Sequence, residues 1–490
     1  MNTAIAPMVI RGKIIEENLI EFGGRAQGFV FRSPDPHAYV EEIGLTSPDA
    51  LADLYQLSFT DILDYLEELG QRLVLEDNQH LQQAFEAACA TAAMTPPLLR
   101  VQYASIPAFL GNRKALIESA EQSIGIAHLE GWVEGSTCTG HATRIRAFGA
   151  RTVHVIAGNA PLLSAMTVAR NAMLRSDAII KPPSNDPLTA AAIGRQMVEM
   201  APDHPLTRHL SVAYWKGGDE AFESRLYQPR NVEKIIAWGG FASVKHVTRY
   251  IQPGLELISL DPKSSASIIG PEAFASEETL ADVAQKVAAD VGLHNQQGCV
   301  NARVVYVLSG TDEQGINQLE RLGRLVYEKI QQLNPQLSTV AERYSPELKA
   351  HVDTLKLDDD WYSVIGGEDK EGAIIVSRLP APVDFSAALC DRTANLVPID
   401  CLDEAIAFVD AYTQTVGIYP EALKQDLMDI LPLHGAQRIV SLGYATQMSN
   451  AAPHDGLEPM RRMCKWILEE SADPSTVPPF WSTAGFSGTI

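Results

Sequence analysis

Paired cysteines are missing from this sequence. Its six, Cys89, Cys138, Cys299, Cys390, Cys401 and Cys464, are scattered without CxxC or CxxxC spacing. That excludes a disulfide framework and a cysteine zinc site, and it points to a reducing compartment, the cytoplasm. Basic charge is also short: Lys and Arg number 39 against 61 Asp and Glu, a net charge of −22. A general nucleic-acid role is thereby excluded, and an anionic ligand must find local positive charge. No apolar run approaches the ~18–20 residues of a membrane span, and the first eight residues carry no basic region leading into an apolar one. The expectation is a chain neither secreted nor membrane-spanning. Internal repeats and low-complexity tracts are absent, as is Gly-x-Gly-x-x-Gly, which excludes a standard Rossmann fingerprint. His204 and His209 lack partners at metal-ligand spacing, so no metal site is expected.

What is present is ordinary globular material. At 490 residues, 46% hydrophobic and 20% charged, the chain buries a large core and should split into two or three domains. Short apolar runs among Gly and Pro over residues 1–45 read as strands and turns. From Asp49 to about Ala93 the spacing of Leu51, Leu54, Leu57, Ile62, Leu63, Leu66 and Leu69 is helical. From Arg151 strands at 152–156, 178–180, 232–238 and 256–260 alternate with helices at 162–174 and 187–200. A second alternation follows, with helices near 278–291, 312–333 and 402–412 and a strand at 303–308. Such alternation builds parallel sheets covered by helices, with ligands beyond the carboxyl ends of the strands. Residues 334–375 read as an irregular acidic stretch around Asp358-Asp359-Asp360, a solvated loop. The Pro- and Gly-rich tail from Ser471 is expected to be extended and to pack on another subunit of a homo-oligomer. The expected division is a nucleotide-binding α/β domain over 1–260, a catalytic α/β domain over 261–441 and a returning C-terminal segment over 442–490.

The stretch that organises the chain is Gly292-Leu293-His294-Asn295-Gln296-Gln297-Gly298-Cys299, directly before a strand-like run. A thiol attacks carbonyl carbon as thiolate, and a turn rich in N–H groups and amides both favours that anion and can bind an oxyanion. Cys299 is therefore the candidate nucleophile, against the alternative of a small buried hydrophobe. Gly158-Asn159-Ala160-Pro161, between a strand and a helix, holds an amide at a sheet's carboxyl edge, or is simply a turn. Lys181, ahead of Pro182 and Pro183, is set to point into a cleft because the prolines pin the backbone and withdraw it from the sheet; the bland alternative is a solvated lysine. Gly239 and Gly240 let backbone approach a ligand, and a following helix would offer amides to phosphate; a plain turn is the alternative. His454 beside Asp455 reads either as a base serving Cys299 or as a turn with a capping aspartate, and His294 could polarise the site.

Asn295-Gln296-Gln297-Gly298-Cys299 resembles the Asn-Gln-Gly-Gln-Cys nucleophile segment of the aldehyde dehydrogenase superfamily, and is nearer still to the acyl-CoA reductases of bacterial luminescence. Gly158-Asn159-Ala160-Pro161, Ile179-Ile180-Lys181-Pro182-Pro183-Ser184 and Ala237-Trp238-Gly239-Gly240 resemble the superfamily's Asn-x-Pro, Lys-Pro-Ser and Phe-Thr-Gly-Ser segments in matching order. Gly435-Ala436-Gln437-Arg438 and Pro453-His454-Asp455-Gly456 are similar to the C-terminal pattern of the luminescence-type reductases. The resemblance implies an α/β, aldehyde dehydrogenase-like fold: two domains with parallel-rich sheets and an active-site cleft between them. It implies Asn159 and the backbone N–H of Cys299 as oxyanion donors, Lys181 on the cofactor ribose and Gly239-Gly240 near the pyrophosphate. The lysine's charge leans the cofactor toward NADPH, with NADH open. Ser259 stands where the superfamily has its water-activating glutamate, which favours thiol exchange over hydrolysis. The Glu-x-Phe-Gly-Pro glutamate has no counterpart that can be placed. The implied activity is reduction of a fatty acyl-CoA, or of an acyl group on a partner protein, to the aldehyde through a Cys299 thioester, beside an acyl-protein synthetase and a thioesterase. The rivals are a hydrolytic aldehyde dehydrogenase and a cofactor-free acyl-carrying subunit.

Overall fold

The computed structural model describes residues 4–23, 29–138, 141–342, 344–473, 479 and 481. Most of the tail expected beyond Ser471 lies outside them. Two seven-stranded sheets dominate. In the first, the strands run in the order Glu256–Leu260, Lys234–Trp238, Arg151–Val155, Asp177–Lys181, Leu210–Val212, Met8–Ile10, Lys13–Ile15. The first five are mutually parallel, and the last two join antiparallel. Arg151–Val155 and Asp177–Lys181 are buried along their whole length, as expected for strands with helices on both faces. The chain order reverses between Arg151–Val155 and Lys234–Trp238. The carboxyl ends of those two strands, which lead to Asn159 and to Gly239-Gly240, therefore flank the topological switch point where open α/β sheets bind ligands.

The second sheet runs Tyr362–Gly366, Ala373–Ser377, Ala394–Pro398, Ala302–Val307, Ser264–Ile269, Thr413–Tyr419, Arg438–Ser441, parallel except for its first pair. Only Asp261-Pro262-Lys263 separate the last residue of Glu256–Leu260 from the start of Ser264–Ile269. So short a link brings the carboxyl edge of the first sheet to the amino edge of the second, and that juxtaposition makes the cleft. Lys465–Ser471 returns to pair antiparallel with Ala142–Phe148, whose other edge takes Val133–Ser136.

The first core packs the helices Phe59–Arg72, Gln79–Thr91, Pro96–Gly111, Leu162–Met173 and Thr189–Met200 through Leu66, Leu69, Leu99, Tyr103, Ala169 and Ile193. The second packs Glu277–Gly292 and Glu313–Gln331 on the other sheet through Val283, Val287, Leu322 and Val326. Three readings need correction. The stretch 334–375 is not one loop: it holds the helix Pro346–Leu355 and the strands Tyr362–Gly366 and Ala373–Ser377. Leu51 and Leu54 belong to a 3-10 run, Pro48–Gln56, whose period of about three residues matches their spacing. The helix from Leu402 ends at Ile406.

Candidate active site

Cys299 ends the loop that feeds Ala302–Val307, and the loop is bent by three successive left-handed residues: His294, Asn295 and Gln296, with φ of 54°, 52° and 60°. Non-glycine residues held there cost roughly 1–3 kcal/mol each, so local bonds must hold the shape. They do. Asn295 Oδ1 accepts from Thr339 N at 2.8 Å, and Gln296 Nε2 donates to Ala302 O and Thr393 O, each at 2.9 Å. Gln296 Oε1 in turn accepts from Thr393 N at 2.8 Å. Asn301 closes the turn, accepting from Gly298 N at 3.0 Å and donating to Asp290 O and Leu293 O. The Gln296 amide and the Asn295 carbonyl oxygen thus build the loop, which corrects the reading of Gln296 as a donor to the reacting centre; the buried Asn295 Nδ2 has no partner among the described residues. Gln297 instead donates to Asp391 Oδ1 at 3.0 Å. Ser265 Oγ donates to Cys299 O at 2.6 Å and accepts from Thr415 N, fastening Cys299 to two neighbouring strands.

Cys299 is half-buried. Burial, then the Asp455 carboxylate, pushes its thiol up from the ordinary value, while Gln414 and the Arg303 guanidinium pull the other way. Gln414, at the amino end of Thr413–Tyr419, donates from Nε2 to Cys299 Sγ at 3.2 Å and to Asp455 Oδ1. Asp455 Oδ1 lies 3.7 Å from His454 Nε2. His454 therefore does not meet the thiol directly, as the triad reading supposed; a glutamine and an aspartate stand between them. Its ring packs on Trp238 at 5.1 Å between centroids, and burial pushes the imidazole down, against the opposing effect of Asp455. Burial likewise pushes His294 down.

From the first sheet, Asn159 reaches across the cleft, its Nδ2 donating to Gln297 O at 3.2 Å. Gly158 precedes it for a steric reason: a β-carbon there would sit 1.9 Å from Asn185 Oδ1, and Asn185 Nδ2 donates to Gly158 O at 2.7 Å. Lys181 is buried rather than solvated, its Nζ 5.5 Å from the Tyr214 ring and 5.6 Å from that of Trp215. Gly240 precedes the helix Phe241–Val247, too short to present a strong N-terminal field, and a β-carbon on Gly240 would meet nothing within 4 Å. Ser259 Oγ donates to Asp261 Oδ1. Glu256, the other carboxylate on that strand, accepts from Lys234 Nζ and Arg462 Nη2, each at 2.8 Å, and is held away from Ser259. His209 lies between Asp53 and Asp177. Among the described residues no group of three or more His, Cys, Asp or Glu is arranged to hold a metal ion, these three included, and no helix is long and apolar enough to cross a membrane.

A family model described as acyl-CoA reductase (LuxC) matches residues 54–466. The chain belongs to that family. Among similar acyl-CoA reductase relatives are proteins named long-chain acyl-protein thioester reductase from Aliivibrio fischeri, 25% identical over 96% of this chain and 94% of that one, and from Vibrio harveyi, 23% identical over 95% and 93%. The fold is that of the aldehyde dehydrogenases. Lactaldehyde dehydrogenase from Escherichia coli superposes with a TM-score of 0.69 at 14% identity, covering 96% of this chain and 99% of that one. The NADP-dependent glyceraldehyde-3-phosphate dehydrogenase from Bacillus halodurans, complexed with NADP, gives 0.71 at 12% identity over 96% and 99%. The residues beside Cys299 that the reading of the chain missed are Gln414 and Arg303. Gln414 lies 115 positions from the thiol it touches and carries no local signal, whereas Arg303 is close in the chain but is read as part of a strand-like run.

Proposed function

We propose that this chain reduces a long-chain fatty acyl thioester to the aldehyde through a thioester on Cys299. The observation that carries the reading is that the amide of Asn159, from the switch point of one sheet, reaches Gln297 O in the loop that carries the half-buried Cys299 to the amino edge of the other. Asn159 gives one N–H to Gln297 O and keeps a second. With the backbone N–H of Cys299 it forms a pair of donors for the oxyanion of an attacked carbonyl. Cys299 Sγ bonds to that carbon, and the donor thiol, of CoA or of an acyl-carrying partner protein, leaves. The relatives' name favours the partner protein, and the family's favours CoA.

The carboxyl edge of the first sheet suits a nicotinamide dinucleotide: it offers a buried lysine at a strand end and an open diglycine turn. Lys181 would hold the ribose or a 2′-phosphate and Gly239-Gly240 the pyrophosphate, with NADPH favoured over NADH by the lysine's charge. Bound there, the nicotinamide supplies the hydride. Ser259 replaces the carboxylate at that position and occupies the neighbouring Asp261 Oδ1 with its own hydroxyl, an arrangement that favours thiol exchange over water activation. A narrow cavity walled by Ala88, Ala92, Met94 and Leu99 opens beside Asn159 and Gln297. Across the same two helices lies a second, of 610 Å³, walled by Phe85, Pro96, Pro97 and Val101. The first is only about 10 Å³, so an acyl chain leading from Cys299 toward the larger apolar space would have to widen it.

The test is incubation with acyl-CoAs of graded length and NADPH or NADH, following nucleotide absorbance, free thiol and acyl label on the protein. Cys299→Ala is expected to abolish label and aldehyde while keeping nucleotide binding; label that persists on the variant overturns the assignment. Rapid acid formation from aldehyde and oxidised nucleotide without added thiol would promote the hydrolytic reading instead.

A further inference from the structure

Gln414 is 2% exposed and has one amide for two demands. Its Nε2 donates to both Cys299 Sγ and Asp455 Oδ1. Its Oε1 is buried and accepts no hydrogen bond among the described residues. Amide oxygen and nitrogen are told apart by their partners, and here Asp455 decides. Reversal would set Oε1 against a carboxylate, so the N–H side must face Asp455 and, with it, the sulfur. The orphaned Oε1 is the penalty of that orientation, and a merely structural glutamine would not be expected to bear it. Asp455 is itself held in a left-handed turn, φ 52°, stapled by the paired backbone bonds of His454 and Leu457. The charged groups facing Cys299 are Asp455 from this turn, Arg303 from Ala302–Val307 and Arg438 from Arg438–Ser441, with His454 behind Asp455.

Resting on the role of Cys299 given above, we propose that Gln414 is a catalytic residue whose amide, oriented by Asp455, stabilises negative charge on Cys299 sulfur when the carbon–sulfur bond forms and again when it breaks. In the first step the thiolate pair makes the bond to the acyl carbon and the donor thiolate departs with its own pair. In the last, the tetrahedral alkoxide left by hydride addition forms the aldehyde C=O, and the carbon–sulfur pair returns to Sγ. A thioester sulfur is a poor acceptor and a thiolate a good one, so the donor acts at these two points more than on the intermediate between them. It also stands between the thiolate and Asp455, whose charge opposes it.

The test is the pH profile of iodoacetamide alkylation at Cys299, read by mass spectrometry of its peptide in the full-length protein. Gln414→Met removes the donor at similar size. The midpoint is expected to move up by about one pH unit, slowing alkylation at neutral pH about tenfold. Gln414→Glu covers the case in which the first variant fails to fold, and a carboxylate in the donor's place should move the midpoint at least as far. Midpoints unchanged in the folded variants overturn the proposal. Acyl labelling of the unmodified protein is followed separately: label on a residue other than Cys299 would defeat the functional reading, whatever the alkylation profile does.

Discussion

At the scale of single residues, the site divides its polar groups between holding shape and meeting a substrate. Asn159 gives one amide hydrogen to Gln297 O, and in the proposed reaction the other would serve the oxyanion. Asn159→Ala is therefore expected to acylate Cys299 about 10²–10³-fold more slowly, measured as the rate of acyl labelling in a single turnover; an unchanged rate would leave Asn159 a turn-former. Lys181 is expected to matter for the nucleotide's charge. Buried against Tyr214 and Trp215, its ammonium keeps little water and pairs strongly with a phosphate. Lys181→Ala should weaken NADPH more than NADH in direct binding titrations, and equal losses would assign the preference to another residue.

At the scale of elements, the helix Gln79–Thr91 and the loop after Arg438–Ser441 frame the cleft from opposite sides. Ala92, at the end of that helix, walls the narrow cavity beside Asn159. Ala92→Phe should block long acyl chains while sparing short ones, seen as a collapse of kcat/KM for the longest acyl-CoAs alone; a uniform loss would place the chain elsewhere. The loop after Arg438–Ser441 is tied back by Asp290 of Glu277–Gly292, whose two oxygens accept from Gly443 N and Ala445 N, each at 2.9 Å. Burial raises that carboxyl from 3.8 to about 6 despite these bonds. With the folded value above the unfolded one, the folded state binds the extra proton. This contribution to stability is full below about pH 4 and is lost as pH rises through about 6. Asp290→Asn removes the titrating group and with it the cost of a buried charge at pH 7, so it should flatten the pH dependence between those limits, as denaturant unfolding at a series of pH values would reveal.

At the scale of the molecule, a net charge of −22 sets the terms on which an anionic donor approaches. Local cations can hold CoA once it is bound, but the long-range field repels it. Raising ionic strength from about 10 mM to about 150 mM shortens the Debye length from about 30 Å to about 8 Å. The second-order rate constant for acyl-CoA should then rise, while that for an uncharged acyl thioester stays nearly flat. Stopped-flow acylation with both donors reads the difference, and a fall with salt for acyl-CoA would mean that a positive entrance outweighs the overall charge.

The alternation of strand and helix was legible along the chain because parallel strands covered on both faces are apolar throughout, as in Asp177–Lys181, and the amphipathic helices between them repeat with their own period. The elements within 334–375 were not, because Gly366, Gly367 and the acidic residues 358–360 interrupt the pattern on either side of short strands. The turn before Cys299 was visible as residue types, but their use was not: Asn295 and Gln296 spend their amides on Thr339 and Thr393, which only the folded chain brings near. What the sequence by itself determined is local, the periodicities and the turn chemistry that follow from side-chain shape and backbone freedom. What only the tertiary structure decided is which distant groups share the cleft. Gln414 reaches Cys299 because Thr413–Tyr419 and Ala302–Val307 flank the same strand, Ser264–Ile269, and Asn159 reaches the Cys299 loop because a link of three residues sets the carboxyl edge of one sheet against the amino edge of the other; no spacing in the chain records either approach.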